Sequence, residues 1–153
     1  MKKAALASLL LLAACSHATL PGTTIPANDD TKAVLSTFTK YHDALEARDP
    51  AAIYALAAKS YYDTGDATRG IGPTDYGALQ RKLSHDFDKV DGLKLEATIK
   101  NIEVDGEKAN LDYFQVLRYA VVTPNGETWK SESDDARMRF VKVSGAWKIA
   151  SGL

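Results

Sequence analysis

The sequence predicts an α+β domain: three N-terminal helices packed on one face of a strongly bent antiparallel sheet of four or more strands. Three observations predict it. Apolar residues recur at spacings of three and four through the first half of the chain, and from Leu93 onward they recur at every second position. That change of period happens once, so helices come first and strands last. Asp105-Gly106, Pro124-Asn125-Gly126 and Ser144-Gly145 then punctuate the second half as hairpin turns, dividing it into four strands in antiparallel order.

The first helix carries Val34, Phe38, Tyr41 and Leu45 as one apolar stripe, with Asp30 as its expected N-cap. Arg48-Asp49-Pro50 ends it and starts a short second helix bearing Ile53, Leu56 and Ala57, because proline is tolerated where the first helical N–H has no partner anyway. After Lys59, the glycines at 65, 70 and 72 with Pro73 specify a loop that has room for a short strand at its start. Pro73 or Thr74 opens a third helix with Tyr76, Leu79, Leu83, Phe87 and Val90 on one face, closed by Asp91-Gly92. In the next strand Leu93, Leu95, Ala97 and Ile99 share one parity while Ile102 and Val104 share the other, the signature of one extra residue in a bulged strand.

At 153 residues, 45% apolar and 25% charged, the chain has the length of one domain. Nineteen basic against twenty acidic side chains give a net charge of −1, which argues against nucleic acid as a partner. Lys2 and Lys3 precede a small-apolar run from Ala4 to Ala14, a secretory signal too short for the ~20 residues that span a bilayer. Residues 1–14 are therefore expected to be removed. Residues 15–29, with Pro21, Gly22 and Pro26, read as a flexible tether with a reach of roughly 20 Å, and residues 30–153 as the folded domain. With one cysteine in the chain, no disulfide framework exists, and the three scattered histidines offer no zinc-ligand spacing. Neither a phosphate-binding glycine loop nor a serine-nucleophile motif is present, so no metal or cofactor is expected.

Leu12-Ala13-Ala14-Cys15 resembles the lipobox of bacterial lipoproteins, which implies a lipidated Cys15 and attachment to a bilayer. Several acyl chains give stable anchoring where one alone is marginal. Ser16 stands where an Asp would, by the same resemblance, favour the inner membrane, so the expected address is the periplasmic face of the outer membrane.

Tyr41-His42-Asp43-Ala44-Leu45-Glu46-Ala47-Arg48-Asp49 and the closing Arg139-Phe140-x-Lys142-x-x-Gly145-x-Trp147-Lys148-Ile149 together resemble the nuclear transport factor 2-like (SnoaL-like) superfamily over about residues 30–153. The resemblance implies a sheet curled around the helices as a cone with a pocket at its open end. Functions in that superfamily span isomerases, dehydratases and cyclases as well as protein-binding modules, so the fold names a place and no reaction. Laid on ketosteroid isomerase, Tyr41 falls on the oxyanion-hole tyrosine, but the proton-shuttling aspartate falls on Gly65 and the second oxyanion donor on Ala136. Two of three catalytic groups are absent, which argues against that isomerisation.

The residues themselves leave two readings open. Tyr41 sits in an apolar stripe where an aromatic side chain packs the core, and it is also the one phenol the resemblance makes a donor. Neighbouring positions on a helix do not face one another, so His42 and Asp43 are not expected to form a dyad. Asp134 shares parity with Ala136, Met138 and Phe140 and points to the pocket mouth if the register holds; a bulge at Asp134-Asp135 would instead leave both carboxylates in solvent. Tyr54, Tyr61, Tyr62 and Trp129 are candidates to line a pocket for a flat apolar ligand, or to form a protein-facing patch. The expected function is a membrane-anchored, non-catalytic domain binding a small apolar molecule or an envelope protein. The alternative is an enzyme using Asp63 or Asp134 as base and Tyr41 as donor. A homodimer formed through the outer sheet face, where Val141 and Val143 lie, is a third expectation.

Overall fold

The computed structural model describes residues 18–124 and 126–153, so the signal, Cys15 and the start of the tether lie outside the described residues. Helix α1 spans Asp29–Glu46 and buries Val34, Thr37, Phe38, Tyr41 and Ala44. Its N-cap is Asn28 rather than Asp30. Asn28 Oδ1 accepts from the Thr31 backbone N–H at 2.8 Å and Thr31 Oγ1 accepts from the Asn28 N–H at 3.0 Å, a reciprocal box that satisfies two end donors at once. Asp30, freed from capping, instead accepts from Lys142 Nζ at 2.7 Å and Trp147 Nε1 at 3.1 Å. Helix α2, Pro50–Leu56, starts as expected on an Asp49 cap with proline in its first turn.

Strand β1 (Tyr62–Asp63) and strand β2 (Thr74–Asp75) pair as a two-residue ribbon that carries the loop between them. Helix α3 runs Tyr76–Phe87 under an Asp75 cap, one residue later than Thr74, because Thr74 is buried in the ribbon. Val90 lies beyond the helix, where its carbonyl accepts from the Arg48 guanidinium.

The main sheet has the order β3-β4-β5-β6, built from Gly92–Asp105, Lys108–Thr123, Gly126–Val143 and Ala146–Ser151. The register between β3 and β4 slips between Ile99 and Asn101, the bulge that the parity change predicts. Leu95, Ile102, Leu111, Tyr113, Met138, Phe140 and Ile149 bury one face of the sheet in the same cluster as Val34, Phe38, Ile53, Leu79 and Leu83 from the helices.

The tether expectation fails from residue 18 onward. Leu20 and Ile25 are buried in the core, Leu20 N–H donates to Ile25 O at 2.8 Å, and Thr19 bridges Pro26. Pro21-Gly22 makes this turn, with Gly22 at φ 72 and Thr23 N–H reaching Leu20 O at 3.1 Å. Proline at the second turn position and a positive-φ glycine at the third are what a type II turn requires. Among the described residues, no helix is long and apolar enough to cross a membrane.

Candidate site on the inner wall of the sheet

Residues directly opposite one another on neighbouring strands share a face. Tyr113 on β4 pairs with Ala136 on β5, and one row nearer the β4–β5 turn Gln115 pairs with Asp134. The β4–β5 register runs without interruption from Lys108–Val141 to Thr123–Gly126, so no bulge displaces Asp134 and its carboxylate lies on the helix-facing wall. Gln115 Nε2 donates to Asp134 Oδ1 at 2.8 Å, and Arg69, from the loop between β1 and β2, approaches Asp134 Oδ2 at 3.4 Å.

Deeper on the same wall, the Phe38 ring meets Tyr113 edge-on with centroids 4.9 Å apart, and Tyr41 lies 6.0 Å from Phe38 on the other side. Tyr41 and Tyr113 are 8% and 2% exposed, yet no described group hydrogen-bonds either phenol. Neither oxygen is sealed from solvent. Burial raises the Tyr41 pKa far above its ordinary value, with smaller contributions from Tyr113 and Tyr61. Burial followed by the charge of Asp134 pushes Tyr113 up to about 12. Both phenols are therefore protonated donors at any physiological pH.

The other predicted residues do not join them. Asp63 accepts from the Gly65 N–H and from the Gly152 N–H, each at 2.7 Å, so it clamps the loop and the C-terminal segment. The Tyr61 hydroxyl accepts from Leu153 N at 3.2 Å and faces Leu153 O at 3.4 Å. Burial pushes its pKa up to about 12 against the opposing pull of the Leu153 N–H that donates to it. Tyr54 stacks on Tyr76 with centroids 4.4 Å apart. Tyr62 is 56% exposed. Trp129 has the opposite parity from Asp134 and lies over Gly92 and Ala120 on the outer face, where a Cβ on Gly92 would come 2.9 Å from the indole. His42 departs from expectation in another way: its Nδ1 is 3.5 Å from Asp43 Oδ1, but its Nε2 is held 2.6 Å from Leu95 O on the free edge of β3.

Sequence reasoning missed Tyr113, Gln115 and Arg69. Tyr113 and Gln115 were readable, since they share alternation with Leu111 and Leu117; Arg69 sits in a loop whose path no periodicity gives. It also missed the largest cavity described, a trough of about 660 Å³ lined in part by Ser60, Glu103, Lys108, Asn110 and Arg139. Among the described residues, no three His, Cys, Asp or Glu side chains are grouped to hold a metal ion.

Solved structures place this architecture. An NTF2-like superfamily protein from Salmonella enterica superposes with a TM-score of 0.66 at 11% identity, covering 78% of this chain and 85% of that one. The chain has the NTF2-like fold. A protein from Kribbella flavida matches at a TM-score of 0.71 and 12% identity over 80% of this chain and 87% of its own. An NTF2-like family member from Streptomyces avermitilis, provisionally named a dehydratase, matches at 0.66 and 15% identity over 80% and 92%. No protein-family model and no curated protein matches the sequence. At these identities the likeness concerns fold alone.

Proposed function

We propose that this chain is an envelope lipoprotein, anchored through Cys15 at the periplasmic face of the outer membrane, whose NTF2-like domain holds a small, largely apolar molecule without transforming it. One observation carries the binding half of this reading: the rings of Tyr41 and Tyr113 are buried while their hydroxyls reach solvent with no protein acceptor, which leaves both donors available to a ligand or a water. A ligand of that kind carries an apolar body and one acceptor oxygen for a phenol.

The same wall argues against catalysis. A general base must be free to take a proton. Both oxygens of Asp63 already accept backbone N–H groups, and Asp134 Oδ1 accepts from Gln115. Relatives of this fold include one provisionally named a dehydratase, but Gly65 and Ala136 offer no acid or base here.

A protein partner is the second reading. It is favoured by the end of the β4–β5 hairpin, where Val122 is 69% and Trp129 53% exposed. The test is a native mass spectrum of the full chain purified gently from its own membrane. The ligand reading expects excess mass on the folded ion beyond the lipid on Cys15. A stoichiometric protein and no small molecule would replace it with the partner reading. For the anchor, Cys15→Ser is expected to move the protein from the membrane to the soluble fraction, and unchanged membrane retention would contradict lipidation.

A further inference from the structure

The loop from Thr64 to Pro73 closes on itself above a narrow stem. Both its ends are fixed by the β1–β2 ribbon, and inside it Ile71 N–H donates to Asp66 O at 2.9 Å. Asp66 Oδ1 caps the short helical turn Ala67–Arg69 by accepting from Thr68 N–H at 2.9 Å. Gly65 sits at φ +70, where an added Cβ would lie 2.3 Å from Ile71 O and 2.4 Å from Gly72 O. The loop is closed by its own backbone rather than by the core, since residues 69–73 are all exposed. Among the described residues, its one ion pair with the main sheet is Arg69–Asp134, with both side chains partly in solvent.

We infer that this loop is a latched lid over the inner wall, with Arg69–Asp134 as the latch and Tyr113 one row along the sheet from it. A stem of two residue pairs lets the body tilt without breaking its internal bonds. An exposed ion pair biases such an equilibrium by only roughly two- to fivefold. The latch therefore opens often and responds to salt, as a door for a small molecule must. This deepens the ligand reading above and rests on it only for what the lid admits, because opening is detectable with no ligand retained.

The test is nitration of the intact full chain with tetranitromethane, mapped by peptide mass spectrometry. In Arg69→Ala, Tyr113 is expected to react roughly two- to fivefold faster. Tyr61, held by Leu153, and the already exposed Tyr62 keep their wild-type rates. Raising wild-type protein to 1 M salt, where screening acts within about 3 Å, speeds Tyr113 in the same way and leaves Arg69→Ala unchanged. Gly65→Ala, which wedges the two limbs of the loop apart, reproduces the effect with the latch residues intact. Unchanged Tyr113 nitration in both variants, or Tyr61 rising in step with it, would overturn the lid.

Discussion

The two ends of strand β5 are built in opposite ways. At its C-terminal end Phe140 is 2% exposed, Lys142 and Trp147 staple the first turn of α1 through Asp30, and β6 pairs along the edge. At its N-terminal end residues 126–133 are all exposed, β3 has ended opposite Ala120, and Trp129 rests on Gly92 from the outer face. Eighteen residues of strand at about 3.3 Å each separate these regions by tens of ångströms, less what the bend takes back. The difference assigns stability to one end and local opening to the other, since regions with few buried apolar contacts open at low cost. It also sets an orientation. The Ala27 N–H donates to Ala18 O just ahead of α1, so Ala18 lies at the stapled end and the hairpin at the other.

Substitutions can break this contrast, and the largest effect is expected at the closed end. Phe140→Ala removes a fully buried ring and should cost about 3–5 kcal/mol in urea unfolding. Trp129→Ala at the open end should stay within about 1 kcal/mol despite the larger side chain. Equal losses would remove the distinction. Gly152→Ala comes next: at φ +97 its Cβ would sit 2.5 Å from Arg137 O, so about 1–3 kcal/mol of overpacking and strain is expected from the same unfolding curve. Asn28→Ala should then lower stability by about 1 kcal/mol by opening the capping box, read as a fall in the thermal midpoint.

The smallest effect sharpens the staple itself. Hydrogen bonds from Lys142 and then Trp147 lower the Asp30 pKa below its ordinary value. A depressed carboxylate stabilises the fold above its unfolded pKa, near about 4, and loses that contribution as pH falls through the lower folded value. Wild type is therefore expected to have a higher urea midpoint than Asp30→Asn at pH 7, with the gap closing in strong acid. A gap that persists there would show that the staple works through packing alone.

Much of the fold was legible because it rests on periodicity. The stripe Val34, Phe38, Tyr41 fixed the buried face of α1, and the parity change from Ile99 to Ile102 located the bulge to within a residue. Caps were less legible: Asn28 and Asp30 are both good cap residues, and only the reciprocal bond with Thr31 decides between them. The order in residues 18–28 was overlooked because Pro21-Gly22 signals both a flexible linker and a type II turn, and the burial of Leu20 and Ile25 chooses between them. Of the site, Tyr41 and Asp134 followed from helix and strand phase. Asp63, Tyr54 and Tyr61 did not, since a side chain's partners across the fold leave no trace in local spacing.

We propose that the buried phenols, and not the exposed hairpin, hold what this protein binds. Native mass spectra of wild type, the double variant Tyr41→Phe/Tyr113→Phe and Trp129→Ala test it directly, because removing two hydroxyls leaves the ring packing in place. A small retained mass is expected on wild type and on Trp129→Ala and is lost from the double variant. A mass that survives loss of both hydroxyls, or that disappears with Trp129, would contradict it.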